Sequence, residues 1–528
     1  MSDTTATAYD EVLYSSYAFL QTHPDRLATL ATLFGMHPVP VTNCRVLELG
    51  CGDGSNLIPM AYGLPESEFL GIDLAARPIA TGQEMIDSLG LKNITLRPLD
   101  VMEVTSDFGQ FDYIIAHGLF SWIPPMVQEK VLAICRENLT PNGVAYVSYN
   151  AYPGGHLRQM VRGMMRFHVR RVADPTQQIA QSRALLKFLS DAQPESEAYG
   201  EFLKAELKRI TSGDEGYVYH DDLAETNTPL YFYQFVEQAA QHGLQYLAEA
   251  DFFEMQDHMF PPAMVETLRQ MARTQLILKE QYADFLKCRK FRQTLLCHAE
   301  LQLDRSLKPE NIGTFYAASS ARPVSEHPDI QSPTTVEEFR SIKGQALATN
   351  HPLVKAAMLC LAEAWPRALH FDELLTQARR RLGVEASQKE ATNTQDRCVL
   401  GGMLLQAYGK NIVELHVYAP RFASTVPQRP VASPVARLQL RHGPMVTNLC
   451  HGCVKLEGAL AQHLFQLLDG TRDRTVLLEE LLTLVKSGTA TMQHDGKEVT
   501  DPQQARQVLA DALDQKLAEL VELALFVA

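Results

Sequence analysis

Residues 45–54 read Arg45-Val46-Leu47-Glu48-Leu49-Gly50-Cys51-Gly52-Asp53-Gly54. The apolar positions Val46, Leu47 and Leu49 predict a short buried strand, and it empties into glycines at every second position. A strand that ends this way is where an α/β sheet lets a ligand approach bare backbone. A dinucleotide loop requires G-x-G-x-x-G, but position 55 is Ser55 and the third glycine comes one residue early. Glu48, two residues before Gly50, completes the pattern E-x-G-x-G-x-G.

Working outward, strands alternate with helices, as in a mostly parallel sheet. A helix through Met60 leads to a second strand over 68–73, ending in Asp73, 25 residues after Glu48. A strand-helix-strand unit places there the carboxylate that accepts from ribose hydroxyls; the alternative is a cap on the following helix. A third strand over 94–97 leads to Asp100, and a fourth over 111–116 opens onto the loop His117-Gly118-Leu119-Phe120-Ser121-Trp122-Ile123-Pro124-Pro125. A helix over 126–138 and a fifth strand over 144–150 follow. Upstream, residues 9–36 read as two short helices broken at His23-Pro24.

After Asn150 only helical periodicity remains over 156–212, with Arg158, Arg162, Arg166 and Arg170 on one helix face. Such a row steers an acidic substrate or is a solvated face. The α/β pattern then resumes with a helix over 231–243, a strand near 244–247, a helix over 264–287 and a final strand over 291–298. Residues 1–300 are therefore expected to form one catalytic domain, with a helical insertion over 156–222 lying over the pocket. A connector over 301–345, a winged-helix-like middle domain over 346–425 and a helical C-terminal domain over 426–528 complete the division. Segments 322–335 and 419–436 are loose and rich in Pro, Ser and Thr.

At 528 residues the chain exceeds one core, and about 150 residues per domain predicts three or four units. Its 46% hydrophobic and 21% charged residues are ordinary for a soluble protein. A net charge of −14 argues against nucleic-acid partners, whose binding rests on Lys and Arg meeting phosphates. No signal peptide, membrane span or membrane partner is expected, since no apolar run approaches about 18 residues. Nine scattered cysteines fit reduced thiols in a cytoplasm better than a disulfide framework. Cys450-His451-Gly452-Cys453 is a lone C-x-x-C; a zinc site needs a second ligand pair, so no metal is expected.

The glycine loop resembles the S-adenosylmethionine (AdoMet) loop of class I methyltransferases. With YDEVLYSS, FDYIIAHGLFSWIPP, GVAYVSYNAYPG and DFLKCRKFRQTLLCH, residues 9–300 resemble a bacterial family that joins a class I core to a methyltransferase regulatory domain, typified by rickettsial protein lysine methyltransferases. The resemblance implies a Rossmann-like α/β fold with a helical insertion, followed by mainly helical, winged-helix-like C-terminal domains. It implies AdoMet as cofactor, held by Glu48, Gly50, Cys51, Gly52 and Gly54 at the methionine and ribose, Asp73 with Leu74 at the ribose, and Asp100 with Val101 at adenine, unless Asp100 is a loop acid. His117 lies next to the sulfonium, and Asn150 and Tyr152 follow on the acceptor side. The family's Trp after Pro-Gly is replaced here by Gly155.

Methyl transfer from a sulfonium is an in-line displacement governed by positioning. A lysine acceptor must arrive neutral, although its pKa in solution is about 10.4, so an apolar aromatic channel assists. Tyr14, Phe120, Trp122, Tyr149 and Tyr152 are candidates for that channel, or else core aromatics. The loop after the fourth strand lacks the Asp/Asn-Pro-Pro-Tyr/Phe of enzymes that methylate DNA amino groups. The reading is an AdoMet-dependent protein lysine N-methyltransferase, with a small-molecule methyltransferase and a non-catalytic AdoMet-binding regulator as rivals. The partners expected are a protein or small-molecule methyl acceptor and a second copy in a homodimer.

Overall fold

The structure is a computed structural model and describes residues 12, 14, 16–194, 196–384, 390–486, 493–494, 497–498 and 502–528. Its centre is a seven-stranded sheet in the order β3-β2-β1-β4-β5-β7-β6. The strands are β1 (Arg45–Leu49), β2 (Glu68–Asp73), β3 (Ile94–Pro98), β4 (Phe111–Ala116), β5 (Leu139–Asn150), β6 (Leu244–Glu249) and β7 (Phe291–His298). The first five run parallel, and β7 lies antiparallel between β5 and β6. All six residues of β4 are buried, as a central parallel strand covered on both faces requires.

The helices Gly155–Val169, Pro175–Asp191 and Ala198–Ser212 form the insertion. It has a small core of its own around Val161, Met165, Ile179, Leu186, Ile210 and Val218. The helix Phe232–Gln241 then returns the chain to β6. The expected helix over 264–287 is two helices, Pro262–Ala272 and Leu276–Lys287, because Gln275 leaves helical geometry (φ −142°, ψ 66°).

The N-terminal reading needs correction. Pro24–Leu33 is a helix, but among the described residues before it stands only the 3-10 turn Leu20–Thr22, and residues 16–19 form no helix. Their backbone is bonded elsewhere: Phe19 N–H donates to Asn56 Oδ1 (3.0 Å) and Ala18 O accepts from Cys453 Sγ (3.1 Å). Residues 9–11, 13 and 15 lie outside the described residues.

Strands β8 (Tyr316–Ala318), β9 (Leu369–His370) and β10 (Glu414–His416) form a small antiparallel sheet with β8 in the middle. The helices Pro352–Ala364, Phe371–Arg381 and Glu390–Tyr408 accompany it. The segment read as a connector, 301–345, thus supplies the central strand of the middle unit. That unit is joined to the catalytic domain by Asp25, which accepts from Val417 N–H (2.8 Å) and pairs with His416 (2.7 Å). The last 100 residues pack around Leu464, Phe465, Leu477, Leu513, Leu517 and Phe526. Among the described residues no helix is long and apolar enough to cross a membrane. All nine cysteines are free thiols.

A buried ionic cluster closes the sheet. Arg292 of β7 is fully buried and meets Glu249 of β6 (2.6 Å), Asp284 (2.8 Å) and Glu280 (3.3 Å), with its guanidinium 3.8 Å from the Phe232 ring centroid. Arg292→Met should cost roughly 3–5 kcal/mol in urea unfolding, because it strands buried carboxylates without their cation. A loss below about 1 kcal/mol would show that the cluster does not hold the strand.

Candidate active site

The loop after β1 folds as its glycines require. Gly50, Gly52 and Gly54 have φ of +74°, +56° and +74°, a region open to glycine and strained for other residues. Gly50 and Cys51 N–H donate to Ile72 O, and Gly52 N–H donates to Asp73 Oδ2 (2.8 Å), so the end of β2 holds the loop. The loop is packed to contact from behind. A Cβ on Gly54 would lie 2.9 Å from Leu96, and one on Gly82 only 2.2 Å from the Asp53 carbonyl oxygen.

Glu48 is buried. Its Oε1 accepts from Asn56 Nδ2 (2.8 Å), while Oε2 has no partner. Burial pushes its pKa up to about 8, opposed by the Asn56 hydrogen bond and reinforced by Asp73 and Asp53. Glu48 lines a cavity of about 930 Å³ that extends over the carboxyl ends of the strands.

Gly50, Cys51, Gly52, Asp73, Leu74, Asp100, Val101 and His117 line the same cavity. Asp73 Oδ1 also accepts from Ala75 N–H (2.8 Å), and Asp100 Oδ1 from Met102 N–H (2.9 Å). These backbone bonds do not exclude a ligand role for either acid, since a carboxylate oxygen bonded to one N–H has a second lone pair. His117 Nδ1 lies 2.8 Å from Tyr146 Oη, and its ring lies 3.9 Å from that of Phe19. Burial lowers its pKa to about 4, so it is neutral at pH 7.

Tyr14, Trp122 and Asn150 also line the cavity. Four of the other candidates do not. Gly54 faces Leu96 and shapes the loop from behind. Tyr152 stacks on His156 (3.9 Å) outside the lining. Phe120 and Tyr149 are core residues: both rings pack on Phe235 (5.4 and 4.2 Å), and burial there gains more than an open channel wall. Gly155, where the related family has Trp, lines the cavity, and a Cβ there would lie 3.1 Å from Pro229.

The far wall comes from the insertion. Arg158, Glu206, Arg209, Tyr217, Asp221 and Asn227 line it. Asp222, fully buried, takes both Arg209 nitrogens (3.0 Å each) and Arg158 Nε (3.2 Å). Arg162 is also buried, bonds the carbonyls of Asp221 and Ala224, and stands 5.5 Å from the Trp122 ring centroid. The first half of the arginine row is thus an internal frame and not a solvated face. Burial raises the Asp221 pKa to about 6 despite Arg158. Asn227 Oδ1 accepts from Asn150 Nδ2 (3.0 Å). Sequence reasoning named the arginine row but passed over Glu206, Arg209, Tyr217, Asp221, Asp222 and Asn227. The one available signal was the adjacent pair Asp221-Asp222 matching the arginine row in opposite sign.

Cys450 and Cys453 converge on no further ligands. Among the described residues no group of three or more His, Cys, Asp or Glu is placed to hold a metal.

Three family models match the chain. One is described as a methyltransferase domain (residues 47–145), one as a predicted methyltransferase regulatory domain (214–298) and one as the C-terminal winged helix domain of PKMT (428–525). The regulatory match contains β6 and β7, so it covers the last strands of the sheet. The winged-helix match falls beyond 346–425, where helix order predicted one. An uncharacterised protein of Rickettsia prowazekii (strain Madrid E) is 32% identical over 98% of this chain and 93% of its own length. A second from that strain is 38% identical over 46% of this chain and 98% of its own. The solved structure of PKMT2 from Rickettsia typhi superposes with a TM-score of 0.86 at 28% identity, covering 98% of this chain and 100% of that one. The same protein in complex with AdoHcy gives 0.87.

Gly82→Ala should lower stability by roughly 1–3 kcal/mol in urea unfolding, as overpacking does. Gly63→Ala, whose Cβ meets nothing within 4 Å, is the control. Equal midpoints would show that the helix bearing Gly82 does not brace the loop.

Proposed function

The chain belongs to the family of AdoMet-dependent methyltransferases that carry a methyltransferase regulatory segment and a PKMT-type winged helix domain, and from that membership we propose that it methylates lysine side chains of a protein. The observation that carries the reading is the end-to-end correspondence with PKMT2, a rickettsial protein lysine methyltransferase, which extends through every domain and not only the methyltransferase core.

The pocket fits the cofactor. Glu48 Oε2, buried and without a partner, is an acceptor for the ammonium of the methionine end. The Gly50–Gly54 backbone admits a ligand at close range, Asp73 accepts from the ribose hydroxyls, and Asp100 accepts from the adenine amine. AdoMet supplies an electrophilic methyl group on a sulfonium. His117, neutral and fixed by Tyr146, bounds that region without adding a repelling charge.

At the acceptor end, Glu206 and Asp221 are paired with Arg209 (2.9 Å) and Arg158 (3.5 Å), so this wall adds little net charge, while Trp122, Tyr14 and Tyr217 favour the neutral amine. Asn150 and Asn227, bonded to each other, offer free lone pairs that hold the amine in line. Tyr152, outside the lining, belongs to the rim. Gly155 leaves open the wall that a Trp would fill, so the acceptor pocket differs from the family's usual one.

Two measurements test this. Labelled AdoMet with a lysine-rich polypeptide should put label into protein, and acetylation of the lysines beforehand should abolish it. Label confined to small molecules would overturn the lysine reading. For the cofactor end, Glu48 is protonated at pH 7 in the free protein, since its pKa stands at about 8. A cationic ligand favours the ionised form, so binding should release protons. Calorimetry at pH 7 in buffers of different ionisation enthalpy should detect the release, and Glu48→Gln should abolish it. Equal release in wild type and variant would remove Glu48 from the methionine end.

A further inference from the structure

The turn Cys450-His451-Gly452-Cys453 touches the cofactor loop. His451 is buried and its Nε2 lies 3.0 Å from Asn56 Oδ1, across 395 residues of sequence. The orientation of the Asn56 amide is settled by its neighbours. Its Oδ1 accepts from the backbone N–H of Phe19 (3.0 Å), an unambiguous donor, so Nδ2 faces Glu48 Oε1 (2.8 Å) and the Thr22 hydroxyl (3.0 Å). An amide oxygen cannot donate, so His451 carries its proton on Nε2 and donates it. Its Nδ1 is left buried and without a partner. Asn56 lines the cavity and Glu48 Oε2 is unpartnered there. The line from His451 to the cofactor pocket therefore has two hydrogen bonds and one defined direction.

The turn that presents His451 is rigid. Asn448 Oδ1 accepts from the N–H groups of Cys450 (3.0 Å) and Gly452 (2.7 Å), and Asn448 Nδ2 donates to Leu523 O (2.9 Å). This holds His451 at φ +63°, a left-handed conformation costly for most side chains. The same turn holds the roof of the cavity. Cys453 Sγ donates to Ala18 O (3.1 Å), and the next residue, Phe19, packs against His117. One turn of the C-terminal unit thus secures both the acid at one end of the cofactor site and the aromatic cover over His117.

We infer that His451 is a positioning residue for cofactor binding: it orients Asn56, Asn56 orients Glu48, and the methionine end of AdoMet is held in full only while the C-terminal winged helix unit is docked. The inference rests on the placement of Glu48 at that end, as proposed above. Its functional meaning is that this unit belongs to the cofactor site. A partner that draws the 448–453 turn away would lower AdoMet affinity without touching the cavity.

The experiment compares AdoHcy with methylthioadenosine, which shares the nucleoside but lacks the amino-acid end, by calorimetry on the full chain. His451→Asn tolerates the left-handed backbone but is too short to reach Asn56. His451→Phe keeps the ring volume without the donor, so failure of one variant to fold leaves the other. His451→Gln carries an amide N–H out to the position of Nε2. Loss variants should bind AdoHcy roughly three- to tenfold more weakly, the scale of one hydrogen bond, with methylthioadenosine unchanged. His451→Gln should recover most of the loss. Equal weakening of both ligands, or a glutamine variant as weak as phenylalanine, would reduce His451 to a packing residue and overturn the inference. Glu48→Gln separates the two readings. If it leaves AdoHcy binding unchanged, the placement of Glu48 fails; if it weakens AdoHcy while His451→Asn and His451→Phe do not, only the relay fails.

Discussion

Arg292 sets the register on which the site depends. Its guanidinium is fully buried among Glu249, Asp284 and Glu280, and it pairs across the sheet with Tyr149 of β5. An arginine with three carboxylate partners has no alternative position that does not strand charge, so β7 cannot slip along β5. That fixed register sets Phe291 opposite Asn150 and brings Lys290 and Phe291 to the cavity wall. It also makes the insertion affordable. About 90 residues leave the sheet after β5 and return, and the ionic cluster is the point to which they must return.

The first half of the fold was legible because its signals are local. Apolar runs mark β1 to β4, glycines at every second position mark the loop, and acids stand at the ends of the next two strands. Those features depend on neighbours within a few residues, which is also why Glu48, Asp73 and Asp100 could be named. The same reasoning left Phe120 and Tyr149 undecided between channel and core, because an aromatic on a strand or its exit loop reads alike whether it faces a core partner or a cavity. Only Phe235, far along the chain, decides between them. The wall made by Glu206, Arg209, Tyr217 and Asp221 was hidden for a related reason: its geometry comes from the packing of three helices, and helical periodicity does not report what a helix end faces. The strand β8 was missed because three residues inside the segment read as a connector carry no pattern of their own and gain strand geometry only from β9 and β10.

The segment matched as a regulatory domain, 214–298, has a different physical meaning here. It contributes β6, β7, the helices between them, and Arg292 with its partners. Removing it would open β5 along its whole edge and expose a paired strand to water or to other chains. Any effect this segment exerts on activity therefore acts from within the catalytic sheet, through the strand that faces Asn150.

The insertion and the C-terminal unit then act on the cavity from opposite ends by the same device, a buried donor whose geometry leaves it one task. Arg162, buried and committed to two carbonyls of the 218–224 segment, holds that segment under Trp122 and so fixes where Asp221 and Asp222 present their charges. At the other end Asn56 is committed on both faces, accepting from Phe19 and His451 and donating to Glu48 and Thr22. Neither donor needs to touch a ligand to matter: Asn56 leaves Glu48 Oε2 without a partner in the cavity, and Arg162 fixes the segment from which Asp221, paired with Arg158 (3.5 Å), lines it. A cavity that must receive a cationic cofactor is well served by an acid held as Glu48 is: close enough to attract, and too constrained to turn aside and satisfy itself.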